Sequence, residues 1–76
     1  MAVLCERLKE LRSGRGYYQR EVAKFLGISL RAYQYYEAGG REPNIENIKK
    51  LAAYFKVSTD YLLGFADTGS TPESAN

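Results

Sequence analysis

The segment Gln19 to Gly39, QREVAKFLGISLRAYQYYEAG, constrains this chain more than any other. Val22, Ala23, Phe25 and Leu26 put an apolar face on one short helix. Gly27 follows where a helix end calls for a left-handed residue. Ser29 is a good N-cap for a second helix, with Ile28 and Tyr33 at the two positions of a hydrophobic staple. Gly39 and Gly40 stop that helix. Two helices joined by so short a turn form a helix-turn-helix, whose second helix is free to project outward. What that helix offers there decides the function.

The rest of the chain gives this motif a domain to sit on. Leu4, Leu8 and Leu11 recur at helical spacing and predict a first helix over about Val3–Arg12. Glu6, Arg7, Lys9 and Glu10 fall on its other faces and read as solvated surface. Ser13-Gly14-Arg15-Gly16 ends it. The second and third helices span about Gln19–Leu26 and Leu30–Ala38. Tyr33 and Tyr36 are expected on the core side of the third, with their hydroxyls at its edge. Pro43 sets a stop, and Asn44 caps a fourth helix over about Ile45–Phe55. Its apolar stripe is Ile45, Ile48, Leu51, Ala52 and Phe55. Ser58 caps a short fifth helix, Thr59–Leu63, which Gly64 closes. The pattern is an all-α, compact five-helix domain over residues 1–65, with an aperiodic, disordered tail over 66–76.

Composition narrows the chemistry. The chain has 76 residues, no histidine and one cysteine, so general bases, nucleophiles and metal ligands are nearly missing. Cys5 reads as a small packing residue. No glycine cluster matches a phosphate loop or a dinucleotide fingerprint. An enzyme, a metal site and a cofactor are therefore not expected. A lone thiol and no apolar run of membrane-spanning length favour the cytoplasm. Residues 1–65 carry all eleven Lys and Arg against seven acids, a balance of +4 that suits a polyanionic partner.

LCERLKELR, GYYQREVAKFLGIS, YEAG and REPNIENIKKLAAYFKVSTDYLLG keep the element order and lengths of a known domain. Over residues 4–64 the chain resembles the helix-turn-helix domain of lambdoid phage repressors and Cro, the XRE family of bacterial and phage regulators. The resemblance implies a lambda-repressor-like domain that binds double-stranded DNA, as a homodimer on two half-sites, with the third helix in the major groove. By that likeness Leu30, Arg31, Gln34 and Tyr35 face bases, and Gln19, Ser29 and Arg41 face phosphates. Gln34 has the amide that suits adenine and Arg31 the fork that suits guanine. Arg12 and Glu37 match a structural ion pair of the family. Tyr18 stands where a Ser or Thr cap is usual, and Ala38 where a polar residue often lies. Tyr61, Leu62, Leu63 and Phe65 give the fifth helix more apolar surface than it needs, and Leu62 can turn inward. A dimer interface would cover Tyr61, Leu63 and Phe65, the alternative being that these three fold back to cap the core under the first and fourth helices. The competing expectation is a protein-interaction module, antirepressor or antitoxin-like, that keeps the fold; the exposed Leu30, the tyrosines and Ala38 favour it.

Overall fold

Capping residues divide the chain into five helices: α1 Ala2–Gly14, α2 Gln19–Leu26, α3 Leu30–Ala38, α4 Ile45–Phe55 and α5 Thr59–Leu63. The structure, a computed structural model, describes residues 2–66 of the 76, with side chains from Val3 onward. Apart from Ala66, the tail expected to be disordered lies outside the described residues. Among the described residues there are no strands, and no helix is long and apolar enough to cross a membrane.

Each start has an identifiable acceptor. Ser29, Asn44 and Ser58 take the amide protons of Ala32 (3.0 Å), Asn47 (2.8 Å) and Tyr61 (3.0 Å). Tyr18 cannot cap α2 in this way, but Glu21 reaches back and accepts the Tyr18 N–H at 2.7 Å, half of a capping box. The helix ends use left-handed residues. Gly27 (φ 74°), Gly39 (φ 84°) and Gly64 (φ 90°) do so at little steric cost, while Lys56 (φ 58°) is the non-glycine exception. The first helix runs two residues beyond the expected Arg12, because the left-handed residue is Gly16 rather than Gly14. Tyr17 N–H returns to the Arg12 carbonyl at 3.0 Å and Gly16 N–H to Ser13 at 3.1 Å, a Schellman closure.

One core joins all five helices. Leu8, Val22, Tyr33, Leu51, Phe55 and Leu62 are fully buried, each contributing about 1.5–3 kcal/mol. Tyr33 and Tyr36 meet edge to face at 6.2 Å on the inner side of α3. The Tyr36 hydroxyl accepts a hydrogen bond from Asn47 at 3.2 Å. That of Tyr33 has no partner in hydrogen-bonding geometry, although Glu37 is near enough to affect its charge. Burial first, and then Glu37, pushes its ionisation well above the ordinary value.

Two apolar assignments fail. Ile45 is 77% exposed: as the first residue of α4 it lies beyond the part its neighbours cover. Phe25 is half exposed, because its ring leaves the core to stack on Tyr54 at 4.6 Å. Two arginines close over helix ends, and Arg7 does so where solvated surface was expected. Arg7 places its guanidinium 4.1 Å from the Tyr61 ring centre and donates to the carbonyls of Tyr61 and Ala66, the latter at 2.8 Å. Arg15 donates to the Phe55 carbonyl at the end of α4. Each cation thus satisfies carbonyls at the negative end of a helix.

Candidate nucleic-acid interface

The third helix has two different sides. It packs on α1 and α2, with Tyr33, Tyr36 and Glu37 buried on the inner side. Leu30, Arg31, Gln34, Tyr35 and Ala38 line one open depression on the outer side. Their spacing, i, i+1, i+4, i+5 and i+8, places them on one helical face. Leu30 and Tyr35 are 43% and 42% exposed, so this face presents apolar as well as polar groups to solvent. Arg31 Nε lies 3.5 Å from the Tyr35 hydroxyl, at the outer limit of a hydrogen bond.

A buried ion pair fixes the angle of α3. Arg12 Nε donates to Glu37 Oε2 at 2.6 Å and Nη2 to Oε1 at 3.2 Å, a fork-to-fork pair. Arg12 Nη1 also donates to the Tyr17 carbonyl at 2.9 Å. One guanidinium therefore ties the end of α1, the loop into α2, and α3. The side chains of Arg12 and Glu37 are 17% and 4% exposed. Burial alone would raise the Glu37 carboxyl, but hydrogen bonds, led by that from Arg12, hold it below its ordinary value. The Arg12 guanidinium is raised in turn, chiefly by its bond to Glu37.

Gln19 stands at the start of α2, half-buried between this pair and the outer face. Its Nε2 donates to Glu37 Oε1 at 3.1 Å, and its Oε1 accepts from Gln34 Nε2 at 3.3 Å. Each end of the Gln19 amide is thus engaged, with one N–H left over. Ser29 uses its oxygen as the α3 cap and keeps its hydroxyl proton for another acceptor. Arg41 is exposed in the loop after α3.

Lys9, expected on solvated surface, is exposed. With Arg12, Gln19, Gln34, Glu37 and Ala38 it lines a second depression beside the outer face of α3. Its place three residues before Arg12 puts both on one side of α1. The residues of α5 divide. Tyr61 packs against the core beneath Arg7, Leu63 is half-buried, and Phe65 is 81% exposed. Among the described residues no three His, Cys, Asp or Glu side chains gather as metal ligands would.

Known proteins resemble this chain in sequence and in fold. The SPbeta prophage-derived uncharacterized HTH-type transcriptional regulator YonR of Bacillus subtilis (strain 168) is 47% identical over 58 residues, covering 76% of this chain and 54% of that protein. The HTH-type transcriptional regulator ImmR of the same organism is 44% identical over 61 residues, covering 80% and 48%. The chain spans about half the length of these curated relatives. The crystal structure of the P22 c2 repressor protein in complex with a synthetic operator superposes with a TM-score of 0.77 at 32% identity, covering 83% of this chain and 96% of that one. A family model described as helix-turn-helix matches residues 8–62. On this match, over most of its length and through all of α2 and α3, the chain belongs to the helix-turn-helix family.

Proposed function

We propose that residues 1–65 form a sequence-specific double-stranded DNA-binding domain of a cytoplasmic transcriptional regulator, a repressor, without enzymatic activity. The observation that carries this reading is the division of α3. Its inner side is locked by Tyr33, Tyr36 and the Arg12–Glu37 pair, while Leu30, Arg31, Gln34 and Tyr35 share one exposed face. A major groove about 12 Å wide accepts such a helix. The relatives named as transcriptional regulators, and the P22 c2 repressor with its operator, support the same reading.

In this docking Arg31 and Gln34 read base edges, and Leu30 and Tyr35 make apolar contact with thymine methyls or sugars. Gln19, Ser29, Arg41 and Lys9 hold phosphates, which position the domain without reading sequence. Two copies meet through α5 and the residues after it, with the exposed Phe65, the half-buried Leu63 and Tyr61, which also packs on the core, at the interface. Their α3 helices then lie about 34 Å apart, one turn of DNA.

Selection of duplexes from a random pool, followed by mobility shifts at two salt concentrations, tests the proposal. The expected result is an enriched two-fold site, bound by two chains, with affinity falling steeply as salt rises. No enrichment and no salt dependence would leave the protein-interaction reading, which the exposed Leu30 and Tyr35 favour. Phe65→Ser should lower affinity for the two-fold site far more than for a single half-site. Equal losses would remove the dimer.

A further inference from the structure

Glu37, Gln19 and Gln34 form a line of hydrogen bonds from the buried ion pair to the outer face of α3. Gln34 Nε2 donates to Gln19 Oε1 at 3.3 Å, and Gln19 Nε2 donates to Glu37 Oε1 at 3.1 Å. The direction of this line has a chemical cause. An ionised carboxylate only accepts hydrogen bonds. Arg12 donates to both Glu37 oxygens and stabilises the charged form. The Gln19 amide must therefore turn its nitrogen toward Glu37 and its oxygen toward Gln34. That oxygen in turn faces Gln34 as an acceptor and takes its N–H.

The consequence falls on Gln34. One N–H is occupied, so its amide faces outward with one N–H and a free carbonyl. Adenine presents an acceptor at N7 and a donor at N6 in the major groove, which matches one donor and one acceptor. Guanine presents two acceptors, N7 and O6, and calls for two donors. Were the Gln19 amide reversed, Gln34 would bond through its carbonyl and offer both N–H groups outward. That arrangement matches guanine.

We propose that Glu37 is a specificity-determining positioning residue: acting through Gln19, it sets the donor–acceptor order of Gln34 and biases the base opposite Gln34 toward adenine over guanine. This rests on the reading of α3 as the helix that enters the groove. Glu37 itself touches no base. A purely structural Glu37 would alter stability and affinity for all duplexes alike, so base preference at one position separates the two roles.

The test uses the full chain and measures affinities on paired duplexes that differ only by adenine or guanine. The position varied is the one whose preference Gln34→Ala abolishes. Two variants interrupt the line. Gln19→Met keeps side-chain length, removes the amide and leaves the Arg12–Glu37 pair in place. Glu37→Gln replaces the pure acceptor by a group that also donates, freeing Gln19 to reverse. Wild type should favour adenine there. In each variant the adenine-to-guanine ratio should fall about tenfold, while the position read by Arg31 keeps its preference. An unchanged ratio with uniformly weaker binding would overturn the inference, as would a wild-type preference for guanine, or a Gln34→Ala variant that alters no position. If Glu37→Gln fails to fold, Gln19→Met alone decides. A wild-type chain that selects no duplex removes the DNA-binding reading and this inference with it. A selective wild type with an unmoved Gln19→Met ratio removes this inference only.

Discussion

Replacing Glu37 with Ala should be among the most damaging single changes in this domain. The Glu37 side chain is 4% exposed and accepts two bonds from Arg12 and one from Gln19. Truncation leaves Arg12 with its bond to the Tyr17 carbonyl and a charge largely cut off from water. Breaking a well-buried pair costs about 3–5 kcal/mol. Arg12 is 17% exposed and can recover some hydration, which places the loss near the lower end, about 3 kcal/mol. A domain of this length has a total stability of about 4–11 kcal/mol, so much of the margin disappears. At about 4–8 °C per kcal/mol, the melting temperature should fall by about 12–24 °C. Urea and thermal unfolding followed by far-ultraviolet circular dichroism measure both quantities. The control is Glu10→Ala on the exposed side of α1, expected to change stability by no more than about 0.5 kcal/mol. A Glu37→Ala loss within about 1 kcal/mol of that control would refute the reasoning, because the pair would then not hold α3. Removing both charges together, as Arg12→Met with Glu37→Leu, should recover most of the loss, since neither group is left buried alone.

Stability should also depend on pH at both extremes. Because the folded Glu37 carboxyl is held below its ordinary value of 4.5, its contribution is complete above that pH and is lost as pH falls toward the folded value; Glu37→Gln should flatten this acid limb in thermal melts. The Tyr33 hydroxyl is shifted upward, so its contribution is complete below its ordinary value of 10.0 and is lost as pH rises through the folded value. Tyr33→Phe removes that alkaline dependence and an unpartnered buried hydroxyl, and should raise stability by about 1 kcal/mol in urea titrations; an equal loss would show that the hydroxyl has a partner, the nearby Glu37. In binding assays Arg31→Ala should cost about 1–3 kcal/mol on the selected site and relax one base position, whereas Arg41→Ala should weaken all duplexes and reduce the salt slope by about one. Reversal of those two patterns would exclude the proposed docking.

Local chemistry explains why most of the fold was legible in the sequence. The limits of α2, α3, α4 and α5 are set by a side chain at the start and a left-handed residue at the end, and both leave marks within a few positions. The end of α1 was misjudged because two glycines stand close together and only backbone geometry shows that Gly16 takes the left-handed turn. Ile45 and Phe25 misled because periodicity gives the direction of a side chain, not the extent of the element that covers it. Around the candidate site, the outward positions of α3 were implied by the family likeness, and their helical spacing agrees with one shared face. The bonds among Glu37, Gln19 and Gln34 join α2 to α3 and depend on the angle between them, which sequence spacing does not encode. Arg7 looked like an ordinary solvated charge for a similar reason: the carbonyls it satisfies lie at the far end of the chain.

The two-sided construction of α3 gives this chain a way to acquire new targets by mutation. Leu30, Arg31 and Tyr35 contribute nothing to the buried core, so their codons can drift while the domain continues to fold. Three of the four positions proposed to face the groove are therefore open to retargeting with little penalty in abundance. Gln34 is the conservative one, because changing it removes its hydrogen bond to Gln19 and so disturbs a neighbour as well as the proposed base contact. Divergence among close descendants of such a domain should therefore begin at positions 30, 31 and 35, and reach position 34 only when 19 changes with it.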